Sequence, residues 1–223
     1  MVQVFSRVRG ALLAGACAVV LSGCAGNVAP EVKRLPERVE LSGAFYRGEA
    51  NQSGPQVLAS LLSQQGIVIT PGLLEKPLHL PGAEDKLQQN MQNLAREYGL
   101  VVYPLDSKLP ALLTQVAAGY PVMVRFSEGS AFWAEPRYAI LSGYDRNKQK
   151  VLLRAGMNRR QLMDFGSFQA ALEKAGGWAI LIQKPAQIPA AVDRSRWLKA
   201  ADELAQAGEE NAAAQARKAL AAQ

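Results

Sequence analysis

The residue types that carry most nucleophilic and metal chemistry are scarce in this sequence. Its 223 residues include two cysteines, Cys17 and Cys24, and a single histidine, His79. A zinc ion takes three or four cysteine, histidine or carboxylate ligands, so we expect no conventional zinc site. No motif indicates a nucleotide or another cofactor. The sequence therefore predicts a protein that works without a metal or a cofactor.

The N-terminus has the features of an export signal. Two arginines and no acidic residue occur in the first ten residues, ahead of an apolar run over residues 10–21. A membrane span would need about 20 such residues. The run ends in Leu21-Ser22-Gly23-Cys24, which resembles the lipobox of bacterial lipoproteins. We expect residues 1–23 to be removed and Cys24 to carry the lipid. The alternative is an ordinary secretory signal with an accidental cysteine.

The same resemblance predicts where the mature chain resides. Ala25 follows the cysteine, rather than the aspartate that usually retains a lipoprotein at the inner membrane. We therefore expect a lipid-anchored protein at the outer membrane, facing the periplasm. With Cys24 lipidated, the mature chain has no free thiol and no disulfide. It keeps 23 basic and 19 acidic residues, and this small, scattered excess argues against nucleic-acid binding.

The elements that must position any site follow a tether over residues 24–38, which has no apolar periodicity. Helical spacing and Pro55 predict a helix that begins near Ser53, and a second long helix is predicted over residues 84–98. Apolar, β-branched runs predict five strands. These are Leu100–Leu105, Tyr120–Phe126, Arg137–Tyr144, Lys150–Arg154 and Trp178–Ile182. Helices followed by an antiparallel sheet indicate the α+β class, in a domain over residues 39–188.

Residues 189–223 have a different character. Two Ala-rich helices, Asp193–Gln206 and Glu209–Ala222, are predicted on either side of Gly208, with Trp197 and Leu198 on an apolar face. Tetratricopeptide repeats use helical hairpins of this kind, but one repeat cannot bury its apolar face alone. The hairpin either docks on the main domain or pairs with a partner protein.

Residues 37–185 resemble the papain-like peptidases that process bacteriocins after a double glycine, in particular a lipoprotein branch with a tetratricopeptide-like tail. The family's Gln-Cys-Gly-Pro at the start of the catalytic helix corresponds here to Gln52-Ser53-Gly54-Pro55. Its His-Tyr-Ala-Val-x-x-Gly-Tyr-Asp strand corresponds to the segment from Arg137 to Asp145. The resemblance implies a papain-like α+β fold.

The catalytic positions of that family are all replaced in this chain. By the resemblance, Ser53 takes the place of the nucleophilic cysteine, Arg137 that of the histidine, and Gly48 that of the oxyanion glutamine. The third family residue, which orients the histidine, has no assigned counterpart, and we assign no such role to Asn158. The chain is therefore expected to be a degenerate family member.

Two readings of this degenerate site remain open. In the first, the domain is an inactive peptidase that binds a peptide or protein of the cell envelope, with an acidic group held in a groove of Arg137, Trp133 and Gln52. In the second, Ser53 is the nucleophile of a hydrolase with rewired chemistry. A guanidinium cannot accept the serine proton, and His79 lies in a distant loop, so the second reading lacks a base. A third possibility is a structural lipoprotein whose helical tail recruits the partner, while Arg137 only pairs with Glu49 or Glu135.

Overall fold

The fold is that of a computed structural model, which describes residues 29–49, 52–129 and 134–223. The predicted signal peptide, residues 24–28 of the predicted tether, which include Cys24, and Trp133 lie outside the described residues. Within the described ranges, no helix has the length and apolar character needed to cross a membrane.

A seven-stranded antiparallel sheet forms the centre of the molecule. Along the chain the strands are β1 (Arg38–Glu40), β2 (Val101–Pro104), β3 (Val122–Gly129), β4 (Ala134–Asp145), β5 (Lys150–Ala155), β6 (Asn158–Asp164) and β7 (Ala179–Gln183). Their order is β2-β7-β3-β4-β5-β6, and the short β1 pairs with the C-terminal end of β4. Strand β4 is thus bordered by three strands, which places the segment from Arg137 to Asp145 in the middle of the sheet.

Helices cover both faces of the sheet. They are α1 (Pro30–Lys33), α2 (Ser53–Gln64), α3 (Pro71–Glu75), α4 (Leu87–Glu97), α5 (Leu109–Ala117), α6 (Phe165–Lys174), α7 (Arg194–Gln206) and α8 (Glu210–Ala221). One apolar core lies between the sheet and α2, α3 and α4, and a second lies between the sheet and α1, α5, α6, α7 and α8. Because both faces are covered, central strands such as β7 are buried along their whole length. The predicted α+β class is confirmed.

Two strands and one helix occur where none was predicted. Strand β6 has exposed side chains on both faces and pairs with β5 alone, so its sequence lacks the apolar signal of a central strand. Strand β1 has only three residues. Helix α1 lies in the second half of the predicted tether and buries Val32 in the core. Residues 29–38 therefore belong to the packed domain rather than to a tether.

The C-terminal hairpin docks on the main domain. Trp197 of α7 is fully buried, and its ring centroid lies 5.9 Å from that of Tyr103 on β2. The Tyr103 hydroxyl accepts a 3.0 Å hydrogen bond from the backbone N–H of Asp193, and Arg96 of α4 pairs with Glu203 of α7 at 2.5 Å. Of the two open alternatives, docking is the one observed. The placement of Leu198 on the apolar face is wrong, since this side chain is 40% exposed.

Candidate functional site

The start of helix α2 forms one wall of the candidate site. Ser53 is the first residue of the helix, and Pro55 lies in its first turn, where a missing N–H leaves no helical hydrogen bond unmade. A Cβ atom on Gly54 would lie 2.9 Å from Leu87 Cδ2 and 3.2 Å from Met91 Sδ. Glycine at this position therefore lets α4 pack closely against the N-terminus of α2, and it fixes where Ser53 lies.

Ser53 is held against the central strand. Its Oγ accepts a 3.1 Å hydrogen bond from the backbone N–H of Tyr138, and the residue is 5% exposed. The sequence motifs predicted that the start of α2 and the strand beginning at Arg137 come together, and the structure places them in contact. Among the described residues, no imidazole, carboxylate or amine lies within hydrogen-bonding distance of this hydroxyl.

The Tyr138 phenol also cannot act as the base that takes the Ser53 proton. Its ring packs edge-on against Trp178, with centroids 5.7 Å apart. Burial raises the pKa of the Tyr138 phenol to about 12, so the hydroxyl stays protonated at neutral pH. The aromatic pair forms a wall beside Ser53 and supplies no acceptor for its proton.

Arg137 forms an ion pair with its neighbour on the same strand face. Its Nη2 lies 2.5 Å from Glu135 Oε2, and the Arg137 side chain is 21% exposed. Residues two apart on a strand share a face, so this pair forms without distorting β4. Of the two acidic partners considered from the sequence, Glu135 is the one the structure shows. Adjacent strand residues point to opposite faces, so Arg137, which pairs across the sheet with Phe126, carries its positive charge on the face of β4 opposite the Tyr138 ring and α2.

A glutamine side chain fills the space beside Gly48, although it comes from another residue. A Cβ atom on Gly48 would lie 1.9 Å from Nε2 of Gln56, which belongs to α2 and is 4% exposed. The Gln56 Nε2 donates a 3.4 Å hydrogen bond to the Glu49 carbonyl, while its Oε1 is buried without a partner. The adjoining cavity has a volume of only about 10 Å³, close to that of one water molecule.

Gln56 was missed by the sequence reasoning. The available signal was its position three residues after Ser53, which puts both side chains on neighbouring parts of one helix surface. Gly48 alone looked like a simple loss of the oxyanion side chain. The structure shows that the Gln56 amide occupies the space that a side chain at position 48 would need, so a larger residue there would displace this amide.

The other predicted site residues do not gather around Ser53. Gln52 is exposed at the N-terminal cap of α2, Asn158 is exposed at the start of β6, and His79 is exposed in a turn with a φ of 59°. Trp133 is outside the described residues. The five best-defined cavities among the described residues include none of Ser53, Arg137 and Gln52 in their linings.

Comparison with known proteins gives a structural likeness only. No family model and no curated protein matches the chain. Two solved chains align with a TM-score of 0.46. One is a double glycine motif protease from an AMS/PCAT transporter in complex with its leader peptide, with 12% identity over 65% of this chain and 94% of that chain. The other is the peptidase domain of Streptococcus ComA, a bifunctional ABC transporter involved in quorum sensing, with 16% identity over 66% and 98%.

A C39-like peptidase from Bacillus anthracis aligns with a TM-score of 0.52 and 15% identity, over 67% of this chain and 98% of that chain. The aligned share agrees with the two thirds of the sequence that carry the motifs. The predicted peptidase fold is confirmed: this chain has the fold of the C39-like peptidases.

Proposed function

We propose that this chain is a peptidase-fold protein that binds a peptide or protein and does not cleave it. The observation that carries the proposal is the environment of Ser53, whose Oγ accepts the Tyr138 N–H and faces no base among the described residues. Nucleophilic catalysis by serine requires a group that takes the hydroxyl proton. Arg137 is a cation paired with Glu135, so it cannot do so.

The space around the former oxyanion position supports the same proposal. A substrate carbonyl needs room and a donor that points at it. Here the Gln56 amide donates to a backbone carbonyl, and the cavity beside it holds about 10 Å³. The positive charge of Arg137 remains available on the strand, which suits an acidic group of a bound peptide.

The alternative, a hydrolase that uses Ser53, is tested with a fluorophosphonate probe on the purified full-length chain. We expect no covalent labelling, with an active serine hydrolase in the same reaction as the positive control. Labelling that is lost in Ser53→Ala and kept in Ser63→Ala would overturn the non-catalytic proposal. Ser63 is the matched control because it lies on the same helix, with its hydroxyl directed to the Ile69 carbonyl.

We also propose that the protein is held at the periplasmic face of the outer membrane by lipid on Cys24. The support is the sequence of the first 25 residues, in which charge, apolar length, Leu21-Ser22-Gly23-Cys24 and Ala25 agree. We expect the native chain to sediment with outer-membrane fractions and Cys24→Ala to lose this association. Retention of Cys24→Ala in the same fraction would contradict the anchor.

A further inference from the structure

An arginine-rich cleft lies on the sheet face formed by β1, β5 and β6. It consists of two cavities of about 220 and 300 Å³ that share Glu40, Leu152 and Arg160. Six basic and two acidic side chains line the two cavities together. Neither cavity includes Ser53 or Arg137, and the larger cavity adjoins the small cavity beside Gln56 because Arg154 lines both.

Gly143 makes this cleft possible. It lies on β4 between Glu40 of β1 and Leu152 of β5. A Cβ atom on Gly143 would lie 2.5 Å from the Val39 carbonyl oxygen and 3.1 Å from Leu152 Cδ2. With no side chain there, Glu40 of β1 and Arg160 of β6 meet over the two strands between them, β4 and β5.

The Glu40 carboxylate accepts hydrogen bonds from two arginine side chains. Arg160 binds it with both Nε and Nη2, at 2.8 and 3.0 Å, and Arg38 Nη2 adds a third contact at 3.1 Å. The hydrogen bond from Arg160 is the main reason that the pKa of Glu40 falls to about 2. Glu40 therefore neutralises part of the charge of Arg160 and Arg38. Both of its oxygens already accept hydrogen bonds from these two arginines.

Arg154 and Arg159 complete the larger cavity without a carboxylate partner. Arg154 is 5% exposed and donates through Nη2 to the Leu41 carbonyl. Among the described residues, no carboxylate lies within 4 Å of either guanidinium. Burial and the nearby charge of Arg159 lower the pKa of Arg154. A buried cation without a counter-ion is unfavourable, so this cavity favours an anion.

We propose that the larger cavity, lined by Arg154, Arg159 and Arg160, binds a phosphate group. Three guanidinium groups and the Glu40 carboxylate give this cavity a net charge of +2. A phosphate monoester carries about −1.5 to −2 at neutral pH and has three oxygens for arginine forks. A carboxylate carries only −1, and Glu40 shows that two arginines already saturate one. The Ser42 hydroxyl, which also lines the cavity, is a further donor.

The phosphate could belong to a soluble molecule or to a lipid headgroup, and two titrations separate these sources. The full-length chain in micelles of a neutral detergent is titrated calorimetrically with inorganic phosphate, against chloride at equal ionic strength. In the second titration the micelles contain phosphatidic acid instead. A response to inorganic phosphate indicates a soluble source, and a response to phosphatidic acid alone indicates a headgroup.

Substitutions of single arginines test whether the titration response comes from this cavity. Arg159→Ala removes an exposed side chain, so the fold should survive while the affinity falls about tenfold or more, as expected for a lost charge-assisted hydrogen bond. Arg154→Lys keeps the buried charge but removes the fork, and we expect it to weaken binding as well. Arg34→Ala, at an exposed arginine that caps the C-terminus of α1, should change nothing. No response to either ligand, or equal affinities in Arg159→Ala and Arg34→Ala, would overturn the proposal.

Discussion

Replacing Trp197 with alanine should lower the free energy of unfolding by about 3–5 kcal/mol. The side chain is fully buried between α7, α8 and the sheet, and it contacts the Tyr103 ring at 5.9 Å between centroids. Its Nε1 donates a 2.9 Å hydrogen bond to the Ala216 carbonyl of α8. The substitution therefore removes a large apolar contact and a buried hydrogen bond from the junction of the hairpin and the main domain.

Urea denaturation monitored by far-UV circular dichroism measures this loss. The matched control is Leu198→Ala on the same helix, where the side chain is 40% exposed and we expect a change of less than about 1 kcal/mol. Because the hairpin docks, the wild-type chain should unfold in a single cooperative transition. A separate early transition of the helices, or equal effects of the two substitutions, would contradict the docked arrangement.

The docked position of the hairpin limits which of its surfaces could bind a partner protein. The apolar faces of α7 and α8, including Ala201, Leu204, Ala213 and Leu220, are used up in the core of the same chain. A partner that bound these faces would have to displace Tyr103 and the Arg96–Glu203 pair. If the chain binds a partner as proposed, we expect the main domain rather than these buried helix faces to bind it.

The parts of the fold that could be predicted are those with a local signal. The segment Gln52–Pro55 begins a helix, and Arg137–Asp145 forms a central strand, as the motifs indicated. The resemblance assigned both segments to one site, and the hydrogen bond between Tyr138 N and Ser53 Oγ shows that they are in contact. In these cases the motif that predicts an element also indicates which other element it packs against.

The parts that could not be predicted depend on contacts distant in sequence. Strand β6 is stabilised by pairing with β5 rather than by an apolar pattern. Gln56 fills the space beside Gly48, which is eight residues earlier and outside the helix that carries Gln56. Likewise, Arg159 and Arg160 are only two scattered charges in the sequence, and they become a cleft wall because Gly143 opens a path to Glu40.

Arg137→Glu should lower the affinity for peptides with an acidic C-terminal residue by at least tenfold. By the resemblance, Arg137 takes the position of the family's histidine, and the substitution places a negative charge there next to Glu135. Since the Arg137 side chain is 21% exposed, the melting temperature should change little. Fluorescence anisotropy with labelled peptides measures the affinity, and Arg34→Glu serves as a control for net charge.

Glu135→Gln gives the opposite expectation and makes the test sharper. In the free protein Glu135 competes for Arg137 at 2.5 Å, so a peptide carboxylate must displace it. Removing this competitor should raise the peptide affinity, and the gain should shrink at high salt because the Glu135 side chain is 68% exposed. Unchanged binding in Arg137→Glu, or weaker binding in Glu135→Gln, would show that the ion pair is a structural feature of the strand and that the peptide binds elsewhere.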